Sequence, residues 1–230
     1  MLIIQKPNLG TEEEPQEPGP CGYVPNLLEE ARWFENVGVG FGEELTYKIF
    51  KSMERFSILK QIKQQKFWGK IVCQHKDYFV VEGLADGGEE AGELPPDVEP
   101  KGQGINKLNY WVSTDLNSDW VELPVVTPQQ MRTSRKIKYM FTGDLEAPVV
   151  RNPFFAGKEK HLLKCQILRI TACCTVVPRT MYSVNPDDKK EIDLTAEWKF
   201  PAFEFLSSTD NWVHHPQTIL RNGRMTHLKP

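Results

Sequence analysis

Features of secreted, membrane-spanning and disulfide-stabilised proteins are missing from this sequence. After Met1 the start has only three apolar residues, Leu2–Ile4, before a charge and Pro7, which is too short for the apolar core of a signal peptide. No later run approaches the roughly 18 apolar residues that a membrane helix needs. The 5 cysteines include no Cys-x-x-Cys pair, and there is no Asn-x-Ser/Thr site. We therefore expect a cytosolic protein, without membrane contact, whose thiols stay free in a reducing compartment.

A strong excess of basic charge is absent as well. The net charge is −3 at pH 7, whereas a general nucleic-acid binder is strongly basic, so nucleic acid is not expected as a partner. With 230 residues, of which 40% are hydrophobic, the chain is long enough to bury the core of one large domain or of two small ones.

The motifs of common catalytic sites are also missing. The glycine run Gly38–Gly42 lacks the spacing of G-x-G-x-x-G and no Lys-Ser/Thr follows it, so we interpret it as a helix end and a turn. The sequence contains no Gly-x-Ser-x-Gly elbow, no His-Glu-x-x-His pair and no papain-like cysteine context. It therefore predicts a protein that is not an enzyme, with no catalytic residue and no cofactor.

Two groups of residues are candidates for a metal site, and neither has the required spacing. The pair His214-His215, completed by His227 or Cys21, is expected on a helix, where neighbouring side chains diverge by about 100°. Structural zinc sites use pairs of cysteines about two to four residues apart. That arrangement is absent from the three remaining candidates, which we interpret as small buried residues: Cys165, Cys173 and Cys174. No metal site is expected.

The first third of the chain is predicted to be a lead-in followed by helices and a hairpin. Residues 5–25 carry five prolines and the run Glu12–Glu14, so residues 1–24 are expected to be a flexible lead-in. Asn26 is the predicted cap of a first helix, and a second helix is expected from about Glu43 to Phe56. The aromatic and β-branched runs Lys66–Cys73 and Tyr78–Glu82 predict a β-hairpin, which completes a region over 25–82.

An acidic segment is the predicted internal boundary. From Glu82 to Pro100 the chain has seven acidic residues and no basic one, so residues 83–105 are expected to form a linker loop. Residues 106–230 then form a second region, which begins with a hairpin over Leu108–Val112 and Trp120–Leu123. The fold class predicted is α+β, with antiparallel hairpins and packed helices.

A helix is predicted from Thr127 to Phe141. Thr127, Pro128 and Gln130 form a capping box with proline at the first helical position, and Gly143 ends the segment. At helical spacing one face is apolar, and the opposite face carries three basic residues: Arg132, Arg135 and Lys136. This basic face is interpreted either as a solvated surface or as a site for an acidic partner.

The last part of the chain combines an ambiguous segment with an aromatic one. Leu162 to Val177 is predicted to begin as a short helix and to continue as a strand. A further helix is expected from Leu206 to Leu220, interrupted at Pro216. Since aromatic side chains dominate interface energetics, core packing and partner binding both stay open for Trp198, Phe200 and Phe203. Trp212 is a further candidate for partner binding, and His214 and His215 are interpreted as surface or partner-binding histidines.

Several longer motifs resemble a known family. They are Phe67-Trp68-Gly69-Lys70-Ile71, Trp120-Val121-Glu122-Leu123-Pro124, Arg135-Lys136-Ile137-Lys138, the block Phe141–Val149, and Asn211-Trp212-Val213-His214-His215. In this order they resemble the radial spoke head protein 4/6 family of motile cilia and flagella, over roughly residues 25 to 228. The blocks Arg135–Val149 and Trp212–His215 are the most specific of them.

The resemblance implies a non-catalytic subunit of the radial spoke head in the 9+2 axoneme, which helps to pass mechanical signals from the central pair to the dynein arms. The implied partners are other spoke head subunits (a 4/6-type paralogue or a second copy, and spoke head proteins 1, 9 and 10), spoke stalk proteins and central-pair projections. The alternative is a cytosolic protein-interaction adaptor that has kept the spoke-head fold.

The sequence departs from the family pattern in three places. The family's long acidic insertions around Glu82–Pro100 and near Asp187 are short here. The family's C-terminal segment, which ends in an acidic tail, is expected to be missing because the chain stops at Pro230. Pro216 falls where the family's helix would run through.

Overall fold

The computed structural model describes residues 24–60, 62–84, 98–173, 175–184, 192–199 and 201–215. Almost all of the predicted lead-in, most of the acidic linker and the predicted helix beyond residue 215 lie outside these residues, so the predicted domain division stays a prediction. The chain forms two compact units, of which the described parts are 24–27 with 47–168, and 28–46 with 169–215. Helices and antiparallel sheets together give the α+β fold that the sequence predicts.

An antiparallel sheet of four strands lies in the first unit. Its strands are β1 (Lys63–Ile71), β2 (Tyr78–Leu84), β3 (Asn109–Ser113) and β4 (Val121–Glu122), in that spatial order. Both predicted hairpins are confirmed, and β2 pairs with β3 so that they become one sheet. The five residues of β3 are all buried, as expected for a strand in the middle of a sheet that is covered on both faces.

Helix α2 (Glu43–Lys60) contributes its apolar face to the core of the first unit. Phe56 contacts the ring of Trp111 at 5.5 Å between ring centroids and that of Trp120 at 5.8 Å. The indole N–H of Trp120 donates to Ser52 Oγ at 3.0 Å, so the polar atom of this buried aromatic is satisfied. The helix extends one turn beyond its predicted end.

Helix α4 (Glu159–Cys173) explains why the sequence pattern around it was ambiguous. Leu162, Leu163, Cys165 and Ile167 are all fully buried, so burial extends around the helix and its apolar residues do not follow one stripe. The predicted change from helix to strand is confirmed, because α4 is followed by β5 (Thr175–Pro178). The helix itself has 15 residues and is longer than predicted.

The helix predicted from Thr127 to Phe141 is shorter in the structure. Helix α3 covers Pro128–Ser134, and the capping box is present: Thr127 Oγ1 accepts from Gln130 N at 3.1 Å, and Gln130 Oε1 accepts from Thr127 N at 2.9 Å. The prediction of the helix end was wrong. The Gln74 and His75 N–H groups donate to the carbonyls of residues 141 and 142, which holds that stretch extended beside the turn of the first hairpin.

The second unit contains helix α1 (Leu27–Val37), β5 and three further strands. β6 (Tyr182–Val184) pairs with β7 (Ile192–Leu194), and β5 pairs with β8 (Trp212–His215). The prediction of a helix over 206–220 is therefore wrong for residues 206–215, which are the part that the structure describes. Helix α5 (Phe203–Leu206) is a single turn, and the chain then enters β8, where Pro178 pairs with Trp212. Aromatic and β-branched residues favour such a strand once a partner is in place.

Within the described ranges, no helix is long and apolar enough to cross a membrane.

Lys164 is a buried cation in the first unit and generates a testable prediction. Its side chain is 1% exposed, and burial lowers the pKa of Lys164 to about 8; Glu122 opposes this shift and Lys101 adds to it. Since the unfolded lysine has a higher pKa, the charged form opposes folding below pH 8, and this penalty is relieved as the pH rises from about 8 toward 10.5.

We therefore expect Lys164→Met to stabilise the protein at pH 7, by up to about 3 kcal/mol, and to lose most of that advantage at pH 10. Urea unfolding followed by tryptophan fluorescence at both pH values measures the difference. The exposed Lys136→Met is the control and is expected to stay within about 0.5 kcal/mol of the wild type. A gain that does not change with pH would contradict the explanation by charge burial.

Candidate partner-binding surface

The basic residues predicted to bind a partner lie together in one stretch of the first unit. Arg132 is on α3, whereas Arg135 and Lys136 lie in the turn that follows it, and Lys138 continues the series. All four side chains are exposed, and none forms an ion pair with a residue that the structure describes. We call these four residues the basic segment.

Buried residues on either side fix the backbone of the basic segment. Ser134, the last residue of α3, is buried, and so are Ile137 and Phe141, which lie beyond the end of the helix. Gln166 Nε2 of α4 donates to the carbonyl of Ser134 at 3.2 Å. The alternation of buried and exposed residues thus keeps the predicted basic side outward through a turn instead of a helix.

A buried carboxylate holds the end of this stretch. Glu159, the first residue of α4, accepts hydrogen bonds from the hydroxyls of Tyr78 at 2.7 Å, Tyr139 at 3.0 Å and Thr142 at 2.9 Å. It also accepts from the backbone N–H of Thr142 and that of Gly143, each at 3.0 Å. One side chain therefore connects β2, the extended stretch over 139–143 and α4.

These hydrogen bonds determine the ionisation of the group. Burial alone would raise the pKa of Glu159, but the hydrogen bonds from Thr142, Tyr78 and Gly143 outweigh it and leave the pKa below its ordinary value. Burial and the hydrogen bond to Glu159 raise the pKa of Tyr139 to about 12 and that of Tyr78 further. Glu159 is thus a buried anion whose neighbours remain neutral donors.

The backbone at residue 143, which donates to Glu159, requires glycine. Its φ is +97°, in the left-handed region, and a Cβ atom there would lie 2.4 Å from the carbonyl oxygen of Lys76. The sequence predicted only the end of a helix at Gly143. Glu159 itself has no local signal, since an acidic residue at the start of a helix is ordinary and its donors are 16 to 81 residues away.

The other predicted partner-binding residues belong to the second unit. Trp212 is partly buried: its ring centroid lies 5.9 Å from that of Phe34, and its indole N–H donates to the Leu206 carbonyl at 2.9 Å. Trp198 is partly buried and Phe203 is exposed, while His214 and His215 end β8. Phe200 lies outside the described residues. In the part of the chain that is described, no three His, Cys, Asp or Glu side chains form a group that could hold a metal ion.

Replacement of Glu159 by glutamine is expected to destabilise the protein by about 2–4 kcal/mol at pH 7, because an amide NH₂ would face donors that need an acceptor. Since the folded-state pKa is lowered, the carboxylate contributes stability above its unfolded pKa and loses it as the pH falls through the folded value. Chemical unfolding at pH 7 and pH 3 should show that Glu159→Gln is less pH-dependent than the wild type. The exposed Glu43→Gln serves as the control; equal losses in the two variants would contradict this role of Glu159.

The contrast between buried and exposed residues in this stretch gives a second expectation. Ile137→Ala and Phe141→Ala should each cost about 2–5 kcal/mol, because both remove buried apolar volume. Charge reversal to glutamate at Arg132, Arg135 or Lys136 should stay within about 0.5 kcal/mol each. Denaturant titration of the five single variants tests this, and a large loss on charge reversal would mean that the basic segment has a structural role.

Comparison with known proteins relates this arrangement to one family. The model of the radial spokehead-like protein family matches residues 4–96 and 90–230. Human radial spoke head protein 4 homolog A is 33% identical over 268 residues, covering 97% of this chain and 37% of that protein. Human radial spoke head protein 6 homolog A is 33% identical over 273 residues, covering 96% of this chain and 38% of the relative.

Flagellar radial spoke protein 4 of Chlamydomonas reinhardtii is 31% identical over 234 residues, covering 93% of this chain and 50% of that protein. The chain thus spans between about a third and half of the length of these relatives. Since the family model matches nearly every residue of the sequence, the chain belongs to the radial spokehead-like protein family, whose members are structural proteins of the radial spokes in the axoneme of cilia and flagella.

Proposed function

We propose that the chain is a non-catalytic subunit of the radial spoke head, where it helps to transmit mechanical signals from the central pair to the dynein arms. The observation that supports this most strongly is the family match over nearly the whole sequence. Other spoke head subunits, spoke stalk proteins and central-pair projections are the proposed partners.

The basic segment is the proposed contact in the first unit. Its four side chains are exposed, and they form no ion pair with a described residue, so their charge is available to another molecule. Electrostatic complementarity between such a segment and an acidic protein surface increases the association rate and the specificity. It also makes binding sensitive to salt, because exposed charges are screened over about 10 Å at 0.1 M salt.

In the second unit the proposed contacts are the aromatic and histidine residues. Phe203 is an exposed aromatic side chain at the start of α5 and is suited to insertion into a partner. Trp198, Phe200, Trp212, His214 and His215 are included in this proposal. For Trp212, the contacts with Phe34 and Leu206 support a role in holding β8 in place as well.

The test is the triple variant with Arg132, Arg135 and Lys136 changed to glutamate, expressed with a tag in ciliated cells. We expect the wild type in salt-washed axonemes and the variant largely absent from them, with at least about tenfold weaker binding to purified spoke head components at low salt. The control reverses Lys48, Lys60 and Lys107, which are exposed residues of the same unit, and therefore changes the net charge equally.

The possible outcomes distinguish the proposed spoke-head function from the proposed role of the basic segment. A wild-type chain that stays diffuse in ciliated cells would contradict the spoke-head function and would favour the cytosolic adaptor. A wild type found in axonemes together with an equally incorporated triple variant would contradict the role of the basic segment alone.

A further inference from the structure

The loop that precedes α4 exposes two large apolar side chains. Val149 and Phe155 are buried, whereas Val150 is 76% exposed and Phe154 is 79% exposed. These two values are the highest among the large hydrophobic residues that the structure describes. We call residues 149–155 the apolar loop.

The base of the apolar loop is held on both sides. Pro148 and Lys158 form an isolated β-bridge, and the Glu159 N–H donates to the Ala147 carbonyl at 2.9 Å. On the other side Gln130 Nε2 of α3 donates to the carbonyl of Ala156 at 2.7 Å. Both ends of the loop are therefore anchored, while Val150 and Phe154 between them remain largely exposed.

Arg151 connects the apolar loop to the stretch that Glu159 organises. Its guanidinium carbon lies 5.3 Å from the centroid of the Tyr139 ring, and its Nη1 donates to the Val150 carbonyl at 3.0 Å. Tyr139 donates its hydroxyl to Glu159, and its neighbour Met140 is 56% exposed. A stacked guanidinium keeps in-plane N–H donors available to a carboxylate. No described carboxylate forms an ion pair with Arg151.

The charge around the loop indicates the chemistry of its partner. Residues 132–158 contain six basic and two acidic residues, in a chain whose net charge is −3. Of these two, Glu146 already pairs with Lys158 and Lys160 at 2.6 Å each, and Asp144 accepts the Glu146 N–H at 3.0 Å. The net charge near the apolar loop is therefore positive, and it complements carboxylates.

We propose that the apolar loop, together with Met140 and Arg151, docks a segment of another radial spoke component that presents apolar side chains beside carboxylates. Phe154 inserts between the apolar side chains of that segment, and Arg151 pairs with a carboxylate at its edge. Burial of an aromatic anchor next to a desolvated arginine is the arrangement that dominates binding energy at protein interfaces. This inference rests on the proposed function, because it takes the partner from the same assembly.

The experiment measures binding of the full chain to spoke components purified from axonemes. Phe154→Ser and Arg151→Glu are expected to weaken binding at least tenfold each, and the effect of Arg151→Glu should shrink at high salt. Ile58→Ser is the matched control, since Ile58 is 73% exposed on α2 of the same unit; it should change binding less than twofold. Circular dichroism and thermal unfolding verify that all three variants stay folded.

A photocrosslinking experiment identifies the molecule that covers the apolar loop. Phe154 is replaced by the photo-reactive p-benzoylphenylalanine, and the crosslinked peptide is mapped by mass spectrometry, with the same replacement at Ile58 as the control. The proposal expects one site on a spoke component, in a peptide that contains apolar residues and an excess of Asp and Glu. Crosslinks to lipid, to nucleic acid, to a second copy of the chain, or to peptides without carboxylates would overturn it.

The two proposals fail in different ways. If the wild type binds spoke components and Phe154→Ser binds equally well, the inference on the loop is overturned and the spoke-head function stands. If the wild type itself does not bind spoke components, the proposed function fails, and the docking inference fails with it.

Discussion

The first unit depends on a buried negative charge. An ionised carboxylate is removed from water only when donors replace the lost hydration, and Glu159 receives these donors from Tyr78, Tyr139, Thr142 and Gly143. Two of the donors are backbone N–H groups, so the path of the chain over 139–143 is fixed by the anion itself. The same path keeps Phe141 inside the core and leaves the preceding basic residues in solvent.

Features that depend on neighbouring residues could be predicted from the sequence, whereas those that depend on distant ones could not. The capping box at Thr127 is formed within four residues, and the hairpins follow from local runs of β-branched and aromatic residues. The extended path at residues 141 and 142 depends on hydrogen bonds from residues 74 and 75, and the strand at Trp212–His215 depends on pairing with Thr175–Pro178. Helical spacing alone therefore predicted α3 to be longer than it is, and it predicted a helix where the structure has strand β8.

The same distinction holds for the candidate surface. Residue type and spacing were sufficient to select the basic residues, because charge on one side of an amphipathic pattern is a local property. The solvent exposure of Phe154 and Val150 could not be predicted, because an apolar residue is ordinarily assigned to the core when only the sequence is known. Their exposure follows from their neighbours Val149 and Phe155, which take the buried positions, and from the anchors at Gln130 and Glu159.

The charged residues of the first unit include carboxylates that are paired within the unit and basic residues that form no ion pair with a described residue. The carboxylates of Glu159 and Glu146 have their donors within the unit, and the hydrogen bonds from Lys158 and Lys160 lower the pKa of Glu146 to about 2. Arg132, Arg135 and Lys136 have no such partner among the described residues, so they contribute little to folding and can be committed to another molecule. Because the backbone beneath them is already fixed, only their side chains would have to be ordered when another molecule binds them.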